Sequence, residues 1–318
     1  MALVLQTDYA WPDTSIERGV IEAAGHSFVA GPSVPSPADE IAALVAKHRP
    51  AAIMTCWAQV SGAAIAAAPD LAVVHRIGVG LDNIAMGEAT RRGVLVTNVP
   101  DYCVGEVADH AVALLLDWAR GTVVFDRDVK AGNWNPAAAR LTRISDLSIG
   151  IVGFGRIGKA TASRLLAFGC AVSTVDRGRE TGMNVRAVPF EQLLGESDVV
   201  IVHAPLTEQT HHLFDAQTIA QMKSGACLIN VSRGPLVDNH ALLAALDAAH
   251  LSGAGLDVVE GEPEPPRALI ERDDVIVTPH IAFSSAASLG ELRRRSAEEV
   301  VRVLAGLPPE NPCNQART

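Results

Sequence analysis

The chain has 318 residues, room for about two domains at roughly 100–200 residues each, and its 48% hydrophobic and 19% charged residues are the balance of an ordinary globular enzyme. Its formal net charge of −10 disfavours nucleic acid as a main partner, because phosphate binding needs a positive field. Arg293-Arg294-Arg295, the cationic cluster that stands out, falls in a helical pattern with Glu291, Glu298 and Glu299 and reads as a solvated face.

From the start of the chain, Met1 to Asp8 carries no positive leader and meets a charge early, so it reads as a first strand. Apolar runs then predict strands at Leu3–Gln6, Ser27–Ala30, Ala52–Thr55 and residues 73–75 and 94–96, with helical patterns between them such as Ala38–His48 after Pro37. A helical pattern rich in Ala, Val and Leu follows over residues 106–131. Its apolar stretch 111–116, flanked by Asp109 and Asp117, is too short to span a bilayer, and no membrane role is expected. A second strand series reads at residues 149–152, Ala171–Val175, Val199–Val202, Ala226–Asn230, 253–256 and Val275–Val277. Six strands with intervening helices are the count of a doubly wound dinucleotide domain. A last helix, residues 285–305, has no strands of its own and is expected to pack back on the N-terminal domain. The alternation predicts α/β layers around two parallel sheets, with a ligand cleft between two domains. The five cysteines (56, 103, 170, 227, 313) are dispersed and read as reduced thiols of a cytoplasmic protein.

Gly153-Phe154-Gly155-Arg156-Ile157-Gly158 follows the strand 149–152 and precedes a helical pattern at 159–168. In that context Gly153 serves the tight turn, Gly155 a close backbone approach to a pyrophosphate, and Gly158 the packing of helix on strand. The pyrophosphate would rest on the helix N-terminus. Asp176 ends the next strand, where an acid accepts ribose hydroxyls and repels a 2′-phosphate. NAD is therefore expected in preference to NADP, although Arg177 and Arg179 offer a phosphate-neutralising alternative.

Three further residues sit at the ends of later apolar runs: Arg233, Glu262 and His280. A guanidinium grips a carboxylate and a carbonyl in a planar fork. An imidazole titrates near neutrality, suiting it to give and take a proton, and a carboxylate beside it orients the ring. By chemistry alone Glu260 and Glu264 compete with Glu262 for that last role. Arg233 capping a helix and His280 serving structure are the bland alternatives.

Residues 150–158, 230–238, 255–263 and Thr278-Pro279-His280 together resemble the D-isomer-specific 2-hydroxyacid dehydrogenase family, nearest its phosphoglycerate dehydrogenase and C-terminal-binding-protein-like subgroup. The resemblance runs along essentially the whole chain. It implies a Rossmann NAD domain, residues 101–282, inserted into a flavodoxin-like substrate domain of residues 1–100 plus 283–318. It implies Arg233 for substrate binding and polarisation, Glu262 for tuning the histidine, and His280 as proton donor. Cofactor contacts are implied at Val79, Gly153, Gly155, Arg156, Ile157, Gly158, Asp176, Ala204, Pro205, Thr210, Val231, Ser232, Arg233, Asp257 and His280. The substrate loop would be Arg76 to Ile84, with the amides of Val79 and Gly80 and the side chain of Arg76 on the carboxylate. Trp57 and Phe283 would shape the pocket, Trp57 being equally readable as core and Arg76 as a surface ion pair. Ala85 departs from the family pattern, where an acid usually stands, and the expected loss is a structural hydrogen bond. His203 reads as structural. His211-His212 suggests a metal, but no acid or cysteine completes a ligand set at suitable spacing, so none is expected.

The function expected is NAD-dependent interconversion of a D-2-hydroxy acid and its 2-keto acid, in a homodimer built on the helix near residues 106–131. The competing reading is an NAD(H)-sensing scaffold of the corepressor kind, since fold alone does not settle function.

Overall fold

The computed structural model describes residues 1–178 and 181–315, so the expectation on Arg179 lies outside the described residues. The chain forms two compact units, one of Met1–Tyr102 with the segment from Ser285 onward, the other Cys103–Ser284.

In the first unit, β1 (Leu3–Gln6), β2 (Ser27–Ala30), β3 (Ala52–Thr55), β4 (Val73–Arg76) and β5 (Leu95–Thr97) form a parallel sheet in the order β2-β1-β3-β4-β5. The strands are short apolar runs because helices cover both faces. Leu5, Ile53, Val74 and Val96 are wholly buried with Ile41 and Val45 of the helix Ala38–His48. That helix starts after Pro37 and stops at Arg49, whose φ is 45°. The helix Ala286–Leu304 belongs to this unit and packs on the helix Ser15–Ala23. Its start is capped reciprocally: Ser288 N donates to Ser285 Oγ at 2.9 Å, and Ser285 N to Ser288 Oγ at 2.8 Å. Here one expectation fails. Arg294 and Arg295 do pair with Glu298 and Glu291, but Arg293 is buried and donates to both carboxylate oxygens of Glu17, at 2.9 and 2.8 Å. The arginine triplet wraps around a helix, so one of its members faces the neighbouring helix.

The second unit carries β6 (Ser148–Val152), β7 (Ala171–Val175), β8 (Arg186–Val188), β9 (Val199–Val202), β10 (Ala226–Asn230), β11 (Leu251–Leu256) and β12 (Val275–Val277). They form one parallel sheet in the order β12-β11-β10-β9-β6-β7-β8. The chain winds out from β6 through β8, then returns to β9 and winds the other way. The reversal between β6 and β9 opens the crevice in which doubly wound folds hold ligands, outside the carboxyl ends of the strands. Among the described residues there are seven strands where six are expected. β8 is only three residues long, two of them exposed, and it pairs with β7 alone, so it lacks the apolar run of a central strand.

The long helix expected over residues 106–131 is two helices, Val104–Arg120 and Thr122–Lys130. Gly121 separates them with φ 62°, a left-handed step that ends the first helix. The first helix packs closely on β11, where a Cβ at Gly255 would lie 3.0 Å from Leu114 Cβ. The second buries none of its residues. All five cysteines are free thiols. Among the described residues no helix is long and apolar enough to cross a membrane.

Candidate active site

Sheet register gathers the functional side chains. Val152 of β6 pairs with Val202 of β9, which pairs with Asn230 of β10. Asn230 pairs with Leu256 of β11, and Leu256 with Val277 of β12. The glycine turn, Ala204, Arg233, Asp257 and His280 therefore all leave the sheet at one edge, each within a few residues of a strand end.

At the glycine turn, Gly153 has φ +104°, and a Cβ there would lie 2.5 Å from Ala204 N. A Cβ on Gly158 would lie 2.2 Å from Gly153 O. Both glycines are thus required by the fold itself. Gly155 differs: its φ is −80°, and a Cβ would meet no atom within 4 Å. It is the N-cap of the helix Arg156–Ala167 and provides no side-chain cap for that helix start. Open space over a first helical turn fits a pyrophosphate, which that turn's N–H groups and dipole favour. Asp176 follows β7, exposed, with Oδ1 accepting from Gly178 N at 2.8 Å.

The loop after β9 is tied to the loop after β10, because Ser232 Oγ donates to Ala204 O at 2.5 Å. Thr210 Oγ1 donates to Pro205 O at 2.7 Å and closes the same loop. Buried Asn230 shapes the turn that carries Arg233: its Nδ2 donates to Arg233 O at 2.8 Å and its Oδ1 accepts from Ser232 N at 3.0 Å. Arg233 is half-buried, with Nη1 donating to Ser232 O at 2.8 Å. The next residue must be glycine. A Cβ at Gly234 would lie 2.3 Å from Val259 C and 2.4 Å from Glu260 N, so the arginine turn is pressed against the segment leading to Glu262.

Glu262 and His280 meet, with Oε1 2.8 Å from Nδ1. Glu260 instead bonds His212, so the acid on His280 is Glu262. His280 has φ 54°, unusual for a side chain of its size. Its backbone is held by Asp257, whose carbonyl accepts from His280 N at 2.8 Å. The buried Asp257 carboxylate accepts from Thr278 Oγ1 at 2.6 Å, Ile281 N at 2.9 Å and Ala282 N at 2.9 Å. It thereby grips the whole turn around the histidine. His110 Nε2 reaches Thr278 Oγ1 at 2.9 Å from the helix Val104–Arg120. Phe283 stands edge-on to the His280 ring, 6.2 Å between centroids.

In the first unit, Arg76 closes β4 and is buried, so it is not a surface ion pair. Its guanidinium lies 5.5 Å from the Trp57 ring centroid and donates to Ile77 O. Trp57 is half-buried, and its position is set by a residue that sequence reasoning passed over. Asp8, fully buried just past β1, accepts from Cys56 N at 2.9 Å, Trp57 N at 2.6 Å and Ala58 N at 3.0 Å. An acid directly after a buried strand was the available signal. The loop of Val79 and Gly80 is anchored by Asn98 Nδ2, which donates to Val79 O at 2.7 Å. Ala85 is the N-cap of the helix Met86–Arg91 and gives it no side-chain cap, the role an acid there would fill.

His203 bonds Thr161 Oγ1 at 3.0 Å, and burial holds it down to about 4, which leaves it neutral in a structural role. The expectation that nothing completes a ligand set around His211-His212 is overturned. Glu260 lies 48 residues away in sequence, yet its Oε1 is 3.0 Å from His212 Nε2 and 3.9 Å from His211 Nε2.

A glycine turn opening into an uncapped helix, at the switch point of a doubly wound sheet, defines a dinucleotide-binding protein. At the same strand edge it carries an arginine and an acid-held histidine. The model of the D-isomer specific 2-hydroxyacid dehydrogenase NAD-binding domain matches residues 112–282. The chain is 41% identical over 258 residues to a glyoxylate reductase of Korarchaeum cryptofilum, covering 78% of each chain. It is 39% identical over 246 residues to a D-3-phosphoglycerate dehydrogenase of Mycobacterium leprae, covering 76% of this chain but only 47% of that one. Among solved structures, an NADPH-dependent glyoxylate/hydroxypyruvate reductase of Sinorhizobium meliloti superposes with TM-score 0.86 at 30% identity, over 98% of this chain and 96% of that one. The chain belongs to the D-isomer specific 2-hydroxyacid dehydrogenase family.

Proposed function

We infer that the protein is an NAD(H)-dependent oxidoreductase that reduces a short 2-keto acid, of the glyoxylate or hydroxypyruvate kind named for its relatives, to the D-2-hydroxy acid. The observation that carries the reading is the Glu262–His280 contact of 2.8 Å at the strand edge that also bears Arg233. Gly153 to Gly158 and Asp176 hold the cofactor, with Ala204, Pro205, Thr210, Val231, Ser232 and Asp257 along it; bound NADH supplies the hydride. Asp176 favours NAD over NADP because a carboxylate repels a 2′-phosphate.

Arg233 binds the substrate carboxylate and draws charge toward the carbonyl oxygen. Within the first unit the Val79 and Gly80 amides and Arg76, beside Trp57, offer donors suited to a carboxylate, and within the second Phe283 stands at the His280 ring. With Nδ1 donating to Glu262, His280 presents Nε2 as the atom that gives its proton to the reduced oxygen. In the reverse direction the same nitrogen takes that proton back. A homodimer is supported by the exposed apolar side chains Val123, Val129 and Trp134 on and beside the helix Thr122–Lys130. Five free thiols fit a cytoplasmic location.

The test is NADH oxidation against a panel of 2-keto acids, from glyoxylate and hydroxypyruvate to phosphorylated and aromatic ones. His280→Ala and Arg233→Ala are expected to lose kcat by about 10²-fold or more while NADH binding, followed by fluorescence, persists. Full activity in either variant overturns the assignment. Tight NADH binding with no keto acid reduced by the wild type favours the scaffold reading.

A further inference from the structure

The geometry points to a second site in the same unit, a divalent transition-metal site formed by His211, His212 and Glu260, with zinc as the ion whose ligand preferences it meets. The loop after β9 brings two consecutive imidazoles to one side. His212 adopts φ 49°, and the two rings lie 4.1 Å apart between centroids at 33°. Consecutive residues of extended chain point to opposite faces, so this pairing requires the left-handed step. The loop is held by backbone: His211 N donates to Thr207 O at 3.0 Å and His212 N to Pro235 O at 2.8 Å. Glu260 enters from beyond β11, with its carbonyl accepting from Asn239 Nδ2 at 2.9 Å.

The ligand atoms suit one ion. His212 Nε2 lies 3.0 and 3.1 Å from the Glu260 oxygens and His211 Nε2 lies 3.9 Å from Oε1, all three donors falling within 4.8 Å of one another. Tetrahedral zinc with bonds of about 2.0–2.1 Å separates its ligand atoms by roughly 3.3 Å, so torsional adjustment of side chains closes the set. Two imidazoles and a carboxylate are the donors of three-ligand zinc sites, which keep a fourth position for water. Their summed charge complements a dication. A hydrogen bond between His212 and Glu260 accounts for one pair alone. His211 stacks on that histidine and lies 3.9 Å from the same carboxylate, so both imidazoles present to one acid. Nothing in hydride transfer uses these residues.

The test is zinc binding to the full chain without substrate or NADH, by competition with a chromophoric chelator, and with cobalt(II) for its absorption spectrum. Wild type is expected to bind one ion per chain and give the intense visible bands of tetrahedral cobalt. His211→Ala and Glu260→Gln are each expected to weaken zinc binding by at least about tenfold. His240→Ala, an exposed histidine outside the set, serves as control and is expected to bind as wild type. Circular dichroism establishes that each variant is folded. Equal affinity in wild type, His211→Ala and Glu260→Gln overturns the proposal, as does the absence of stoichiometric binding in the wild type. Keto-acid reduction is not a readout of this experiment, so its outcome is independent of the assignment of the active site.

Discussion

Replacing Gly155 by alanine separates what the fold requires of the glycine turn from what the dinucleotide requires. The backbone there has φ −80° and a Cβ meets no atom within 4 Å, so the folded chain accepts the methyl. Two small effects oppose one another. A less flexible unfolded chain stabilises by about 0.4–1 kcal/mol. Alanine is a poorer N-cap than glycine and costs a similar amount. The melting temperature should therefore move by no more than about 4 °C for a chain of this size. The methyl does, however, take space that the pyrophosphate is proposed to fill. Overpacking of about 1–3 kcal/mol weakens NADH binding by roughly 5- to 150-fold. Gly153→Ala is the contrasting variant, because φ +104° and a contact 2.5 Å from Ala204 N damage the fold itself. Scanning calorimetry and a fluorescence titration with NADH read both quantities. Unaltered NADH affinity in Gly155→Ala refutes the reasoning, and so does a melting loss matching that of Gly153→Ala.

Glu262→Gln keeps a hydrogen-bond acceptor on His280 but removes the charge, and a charge-assisted bond exceeds a neutral one by about 1–2 kcal/mol. Steady-state kinetics should show kcat reduced by roughly 5- to 30-fold with NADH affinity retained; unchanged kcat would remove Glu262 from the mechanism. Burial holds His203 down to about 4, and burial followed by the Arg76 charge holds His75 down to about 3. Both stay neutral in the native chain while the unfolded chain binds protons below about 6.5. The stability they contribute is whole above that pH and is lost as pH falls toward 3–4, by up to about 1.4 kcal/mol per pH unit for each. Denaturant titrations between pH 7 and 4.5 should show that slope, and His203→Gln should flatten it; an identical slope in the variant excludes His203 as its source. Glu17→Ala removes the two-oxygen partner of buried Arg293, leaving it the Asp13 contact at 3.2 Å, and should cost about 1–3 kcal/mol in urea unfolding. A loss below about 1 kcal/mol would mean that Arg293 finds water.

The strands were legible because each parallel strand is buried on both faces and stands out as an apolar run between glycines and prolines. β8 was not, being a short edge strand with one buried residue. The glycine turn and the end-of-strand positions of Arg233 and His280 could be read for the same reason: in this fold, chemistry collects where strands stop. Choosing Glu262 over Glu260 needed the family pattern, since two acids two residues apart look alike until one of them is seen on His212. Other features depend on long-range closure that no local pattern encodes. Glu260 reaches a histidine pair 48 residues earlier in the chain. Arg293 finds Glu17 across 276 residues, and Asp8 collects amides from Cys56 to Ala58. The break at Gly121 was written in the sequence, but a lone glycine in an apolar helical stretch does not announce a left-handed step.

The grip of Asp257 on its turn has a consequence for diversification. Two of its three carboxylate bonds go to main-chain amides, those of Ile281 and Ala282, and its own carbonyl fastens the amide of His280. Amides are common to every residue except proline, so the exposed side chain at position 281 is released from any duty in seating His280. New substrate preferences can be explored there by saturation mutagenesis while the His280 turn stays anchored from beneath.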